Sequence, residues 1–186
     1  ELFFPPVEAA VEAGVGSIMT SFNEINGVPS TANEALIEIL KGEWDFLGFV
    51  VSDYNSVKML YNTQFVAKGP KDAAKQAIMA GVDMEMVSRL DLGNLRELGR
   101  EGTIPDEIID ESVKRILEAK FKLGLFENPY GIDPSVLNSQ EHRSVALEAS
   151  RESLVLLKND FILPVKEVGS IAVIGPLADD RLDSYA

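Results

Sequence analysis

Gly48-Phe49-Val50-Val51-Ser52-Asp53-Tyr54 sets three consecutive apolar residues ahead of a carboxylate and an aromatic ring. Apolar residues without alternation predict a strand buried on both faces, the pattern of a parallel sheet. In α/β folds the residue at the C-terminal end of such a strand faces the mouth of the sheet or barrel, where ligands bind. Asp53 takes that place, and Tyr54 sets a flat face beside it. An Asp at a strand end also serves as a turn former or helix N-cap. These seven residues alone favour that plainer role; the neighbouring segments shift the balance.

Upstream, Val7–Ala13 has helical character and stops at Gly14, and Ser17–Phe22 is a second buried-strand candidate. The turn-rich Asn23-Glu24-Ile25-Asn26-Gly27-Val28-Pro29 follows, then Ala35–Leu40 with helical spacing and Asn33 as its N-cap. Downstream, Asp72–Ala80 predicts a helix broken by Gly81, and Val82–Met86 a short third strand. Three strand–helix units in succession predict a parallel α/β architecture. A helix over 106–121 carries Ile109, Val113, Ile116 and Leu117 on one stripe, with acidic residues at its start and basic ones at its end. Residues 128–134, rich in Asn, Pro and Gly, read as a linker. A helix over 141–157 leads to an apolar strand, Ile171–Ile174, that turns at Gly175-Pro176.

Thirty acidic residues against 17 basic ones give the 186-residue chain a net charge of −13. Such a surface disfavours nucleic acid or anionic lipid and suits a neutral ligand. No stretch has the length of a membrane span. Without cysteine and with His142 alone, there is no disulfide, no thiolate and no nitrogen-rich metal site. The opening Glu1-Leu2-Phe3-Phe4-Pro5-Pro6 and the closing Asp183-Ser184-Tyr185-Ala186 both read as internal to a longer polypeptide.

Glycoside cleavage uses two carboxyl groups, one to attack or stabilise an oxocarbenium-like centre and one to protonate the leaving oxygen. Asp53 has the character for the first role. A Ser–His–Asp arrangement is poorly served, because His142 falls in a helix past the linker and reads as a surface or packing residue. Gly175-Pro176-Leu177-Ala178-Asp179 lacks phosphate-loop spacing, and Pro176 removes an N–H that a phosphate needs. Asp83 and Glu85 read as a solvated or salt-bridged pair.

Five segments in collinear order resemble glycoside hydrolase family 3. They are Met19-Thr20-Ser21-Phe22-Asn23-Glu24-Ile25-Asn26-Gly27-Val28-Pro29, Gly42 to Asp53, Ala80-Gly81-Val82-Asp83-Met84-Glu85-Met86, Lys120 to Tyr130 and Glu148 to Asn159. Within the family the chain is most similar to the bacterial periplasmic-type β-glucosidases, to which Ile174-Gly175-Pro176-Leu177-Ala178-Asp179 also has a counterpart.

The resemblance implies the C-terminal part of a (β/α)8-like barrel followed by the first elements of an α/β sandwich domain. The expected division is barrel over 1–127, linker over 128–140 and incomplete sandwich over 141–186. It implies retaining hydrolysis of β-glucosides or cello-oligosaccharides, no cofactor or metal, and a periplasmic or secreted parent. Asp53 matches the family's nucleophile, and Tyr54 the place of an aromatic, commonly Trp, on the aglycone side. Met19 and Phe22 match positions lining the glycone pocket, where Phe22 replaces the Tyr of many relatives. By the same resemblance the other glycone-binding residues precede Glu1, and the general acid/base Glu lies beyond Ala186. A whole barrel takes about 250 residues, so the remainder of the parent chain is expected to complete this one. A β-xylosidase, an arabinofuranosidase, a β-N-acetylglucosaminidase and a non-catalytic carbohydrate-binding relative are the alternatives.

Overall fold

The computed structural model of the chain describes residues 3–89, 91–131, 133–175 and 178. It divides into two compact units, 1–131 and 132–186. In the first, helix α1 (Phe4–Glu12) precedes strand β1 (Ser17–Met19), and a small hairpin of β2 (Glu24–Ile25) and β3 (Val28–Pro29) follows. Helix α2 (Glu34–Glu38) runs into a π-turn over Ile39–Glu43 and then β4 (Phe49–Val51). Helices α3 (Ser56–Asn62), α4 (Pro70–Met79), α5 (Asp91–Arg100) and α6 (Asp106–Lys122) complete the unit.

β1 and β4 pair in parallel, Ser17 with Phe49, Ile18 with Val50 and Met19 with Val51. Met84 adds a parallel bridge to the other side of Val51, so the predicted third strand is present as a single pairing. The arrangement is the expected α/β one: parallel strands joined through helices. Val50 is buried among Ile37, Leu40, Phe46, Val57, Leu60, Ala73, Ala77 and Val82, which come from α2, α3, α4 and their flanking segments. Met19, Val51 and Met84 stand side by side in register on the opposite face, where Met19 and Met84 are exposed.

Local chemistry explains the boundaries. Asn33 caps α2 by accepting from the Leu36 N–H at 3.1 Å, which satisfies one of the helix's unbonded donors. α6 begins with Asp106 and Glu107 and ends with Lys120 and Lys122, each end matched to the macrodipole. From α6, Arg115 donates to the Phe46 and Gly48 carbonyls at 2.9 and 2.8 Å, fastening the helix to the segment entering β4.

Gly48 sits where only hydrogen fits. A Cβ there would collide with the Gly16 carbonyl oxygen and lie 2.5 Å from the Phe46 ring. Gly48→Ala is therefore expected to push the β4 entry off β1 and destabilise the first unit by about 1–3 kcal/mol, the usual penalty of overpacking. Thermal unfolding of the variant beside the wild type measures it, and an unchanged midpoint refutes it.

In the second unit, α7 (Gln140–Glu152) starts at Ser139, whose hydroxyl accepts from the His142 N–H at 3.2 Å. The helix ends five residues before the predicted Leu157. Asn159 closes a turn by accepting from the Ile162 and Leu163 N–H groups and donating to the Leu163 carbonyl. Ile171–Ile174 does not form the predicted strand: a strand needs a partner for its backbone groups, and no described residue pairs with it. Pro176, half of the predicted turn, lies outside the described residues.

Candidate active site

The C-terminal ends of β1, β4 and the Met84 bridge lie side by side, since parallel strands run about 4.8 Å apart. The segments that leave this edge are Thr20–Phe22, Ser52–Asn55 and Glu85–Val87. Asp53 is two residues past Val51 on the middle strand, half-buried, with Tyr54 beside it and 57% exposed. Met19, the last residue of β1, is 52% exposed on the face shared with Val51, and Phe22 is exposed in the loop beyond. The four residues singled out from sequence therefore come to one edge of the sheet.

Asp53 does not act as the cap of the following helix. α3 has Asn55 at its N-cap, in the left-handed region at φ 59°, and no side chain caps it. The Asp53 carboxylate accepts from its neighbour's backbone, the Tyr54 N–H, at 2.6 Å to Oδ1. Among the described residues no donor reaches Oδ2. A carboxylate with one oxygen braced by backbone and the other open has the form a nucleophile needs.

The backbone under Asp53 is held from several sides. Ser52, wholly buried, donates from its hydroxyl to the Asp53 carbonyl at 3.1 Å and accepts from the Met86 N–H at 2.8 Å. The Ser52 N–H donates to the Met84 carbonyl at 2.8 Å, and the Asn55 N–H to the Met86 carbonyl at 3.2 Å. The Ser56 N–H closes a turn on the Asp53 carbonyl at 3.0 Å. The Phe22 carbonyl accepts from Gln64 Nε2 at 3.0 Å, linking the loop after β1 to the end of α3.

Asp83 and Glu85 part company. The Asp83 side chain is buried and takes both its oxygens to Lys41 Nζ at 2.7 Å, while the Val50 N–H and the Ser112 hydroxyl donate to it at 2.7 and 3.1 Å. Lys41 also reaches the Gly81 carbonyl at 2.7 Å. Asp83 is thus a structural pin joining α2's extension, β4 and α6. Glu85 is hydrogen-bonded by Ser88. His142 is exposed in the second unit. No cluster of His, Cys, Asp and Glu among the described residues could hold a metal ion.

Sequence reasoning missed the serines and threonines beneath the site. Hydroxyl residues in loops carry no spacing signal, and the links Thr20–Thr31, Thr31–Ser56 and Ser52–Met86 span 11, 25 and 34 residues.

Residues 1–119 match the model of the glycosyl hydrolase family 3 N-terminal domain. The chain belongs to glycosyl hydrolase family 3. This family 3 chain is 38% identical to a periplasmic β-glucosidase of Salmonella typhimurium over 97% of its own length and 25% of the relative's. It is 42% identical to a β-xylosidase of Formosa agariphila over 97% of its length and 27% of that protein. The crystal structure of β-glucosidase from Listeria innocua in complex with glucose matches it with a TM-score of 0.76 at 39% identity, over 87% of this chain and 23% of that one. The chain spans about a quarter of the length of these relatives. Its parallel strands and surrounding helices are those of the family's barrel-like N-terminal domain.

Proposed function

We propose that the chain is part of a retaining, exo-acting β-glucosidase that removes terminal non-reducing β-D-glucosyl residues, with Asp53 as nucleophile. The observation that carries this is the Asp53 carboxylate at the end of the middle parallel strand, with one oxygen braced and the other open. In the first step Asp53 Oδ2 forms a bond to the anomeric carbon as the bond from that carbon to the leaving oxygen breaks. The leaving oxygen takes a proton from a carboxylic acid that we assign to no residue of this chain. In the second step water attacks the anomeric carbon, its proton returns to that acid's conjugate base, and the Asp53 carboxylate is released. Two inversions give net retention, which requires the two carboxyl groups about 5–5.5 Å apart.

Met19 and Phe22 would line the glycone side and Tyr54 the aglycone side, where an aromatic face suits the apolar face of a sugar. Phe22 offers no hydroxyl, so contact from this position is by packing alone. We assign 1–127 to the barrel, 128–140 to the linker and 141–186 to the start of a sandwich domain. The activity is that of a polypeptide of the relatives' size, and the likeness to the Salmonella protein supports a periplasmic or secreted setting.

A second reading within the family, β-xylosidase, has the 42% identity to the Formosa protein in its favour. The two sugars differ by the hydroxymethyl group at C5. A p-nitrophenyl glycoside panel on the full-length enzyme separates them. Our reading expects kcat/KM for the β-glucoside to exceed that for the β-xyloside by at least about tenfold, within the range one pocket group supplies. A larger value for the xyloside replaces it with the second reading. Proton NMR of the first-formed sugar should show the β-anomer.

A further inference from the structure

Eight buried polar side chains are present among the described residues: Thr20, Ser30, Thr31, Asn33, Ser52, Ser56, Asp83 and Ser112. Asp83 and Ser112 belong to the Lys41 ion pair. The other six lie in just two segments, the one that carries the chain from β1 into α2 and the one from β4 into the first turn of α3. Burying a polar side chain is unfavourable unless it is hydrogen-bonded, so their concentration in the two segments that leave β1 and β4 calls for a reason beyond filling space.

Three of them form a chain. Thr20 Oγ1 and Thr31 Oγ1 share a hydrogen bond at 3.0 Å, and Thr31 donates onward to Ser56 Oγ at 3.0 Å. Thr20 directly follows Met19, and Ser56 is the residue whose backbone N–H holds the Asp53 carbonyl. A side branch pairs Ser21 with Ser30 at 2.9 Å, and Ser30 donates to the Asn23 carbonyl at 2.8 Å, fixing the backbone on both sides of Phe22. Thr31 is only 2% exposed and is the middle of the chain. Asp53 itself lies in a short irregular segment, so its place depends on what holds Ser52 and Ser56.

Resting on the reading of Asp53 as nucleophile, we propose that Thr31 is a positioning residue: its buried hydroxyl joins the end of β1 to the first turn of α3 and so sets Asp53 relative to Met19 and Phe22. Thr31 touches no substrate. Its loss should leave ground-state binding largely unchanged and displace the attacking oxygen, to which the rate is sensitive, a shift of about 1 Å costing up to about 10²-fold.

The test compares Thr31→Val, Thr31→Ser and Asp53→Asn in the full-length enzyme. Valine keeps the shape and removes both hydrogen bonds; serine keeps the hydroxyl and removes a methyl. The expected result is a kcat lowered about tenfold or more in Thr31→Val, a KM within about twofold of wild type, and recovery in Thr31→Ser. A wild-type kcat in Thr31→Val, or an equal loss in Thr31→Ser, overturns the proposal while an inactive Asp53→Asn leaves the nucleophile reading standing. An active Asp53→Asn removes that reading and this one with it. Should Thr31→Val fail to fold, Ser56→Ala breaks the same chain at its other end: the same kcat loss at unchanged KM supports the proposal, and wild-type kinetics overturn it.

Discussion

Asp53→Asn in the full-length enzyme is expected to lower kcat for an aryl β-glucoside by several orders of magnitude while the protein stays folded. The substitution is isosteric. The amide oxygen can still accept from the Tyr54 N–H, as Oδ1 does at 2.6 Å, so the loop between Ser52 and Ser56 keeps its shape. The amide nitrogen then stands where the open oxygen was, and it has no lone pair to give to an anomeric carbon. Loss of a nucleophile falls on the chemical step, so kcat should collapse far more than KM changes. Circular dichroism and a melting curve matching wild type would attribute the loss to chemistry. A variant with even a few per cent of wild-type kcat contradicts the assignment.

The largest expected effect on folding comes from Lys41→Met. Asp83 is buried, and Lys41 meets both its oxygens at 2.7 Å. Removing the ammonium leaves a carboxylate in the interior with the Val50 N–H and the Ser112 hydroxyl as its remaining donors. Breaking one side of a buried ion pair costs about 3–5 kcal/mol, enough to lower the melting midpoint clearly or to send the protein into inclusion bodies. A midpoint within error of wild type would show that the pair carries no weight. The same pair has a pH signature. Burial lowers the Lys41 pKa below its ordinary 10.5, with the Asp83 hydrogen bond and charge pulling the other way. The unfolded chain therefore holds this proton more firmly than the folded one. By linkage, the contribution of Lys41 to stability rises with pH through the window between the lowered value and 10.5; a wild-type-minus-Lys41→Met difference that falls over that window contradicts the shift.

Much of the first unit was legible because its signals are local. The Asn33 cap, the helix over 106–121 and the run Phe49-Val50-Val51 depend on residues within one or two turns of each other. α3 escaped notice because it is only seven residues long and lacks a side-chain cap. α5 escaped because Gly93 and Gly99 dilute its helical pattern. The second unit's strand over Ile171–Ile174 read well by composition and is absent for want of a pairing partner, which no local rule supplies. Asp53 and Tyr54 could be named from the chain because they follow directly on an apolar strand, whereas Met19 and Phe22 are named only through the resemblance to the family. The hydroxyl chain through Thr31 could not be named, since it exists only when β1, the turn at Ser30–Ala32 and α3 are brought together.

The most direct test labels the nucleophile. A 2-deoxy-2-fluoro-β-D-glucoside with a dinitrophenolate leaving group slows both steps, but its activated leaving group lets the first proceed, so the glycosyl–enzyme accumulates. Digestion of the full-length enzyme and tandem mass spectrometry then locate the sugar. The account predicts a fluoroglucosyl ester on the carboxylate of Asp53. A sugar attached to any other carboxylate, or steady turnover with no covalent adduct, would contradict it.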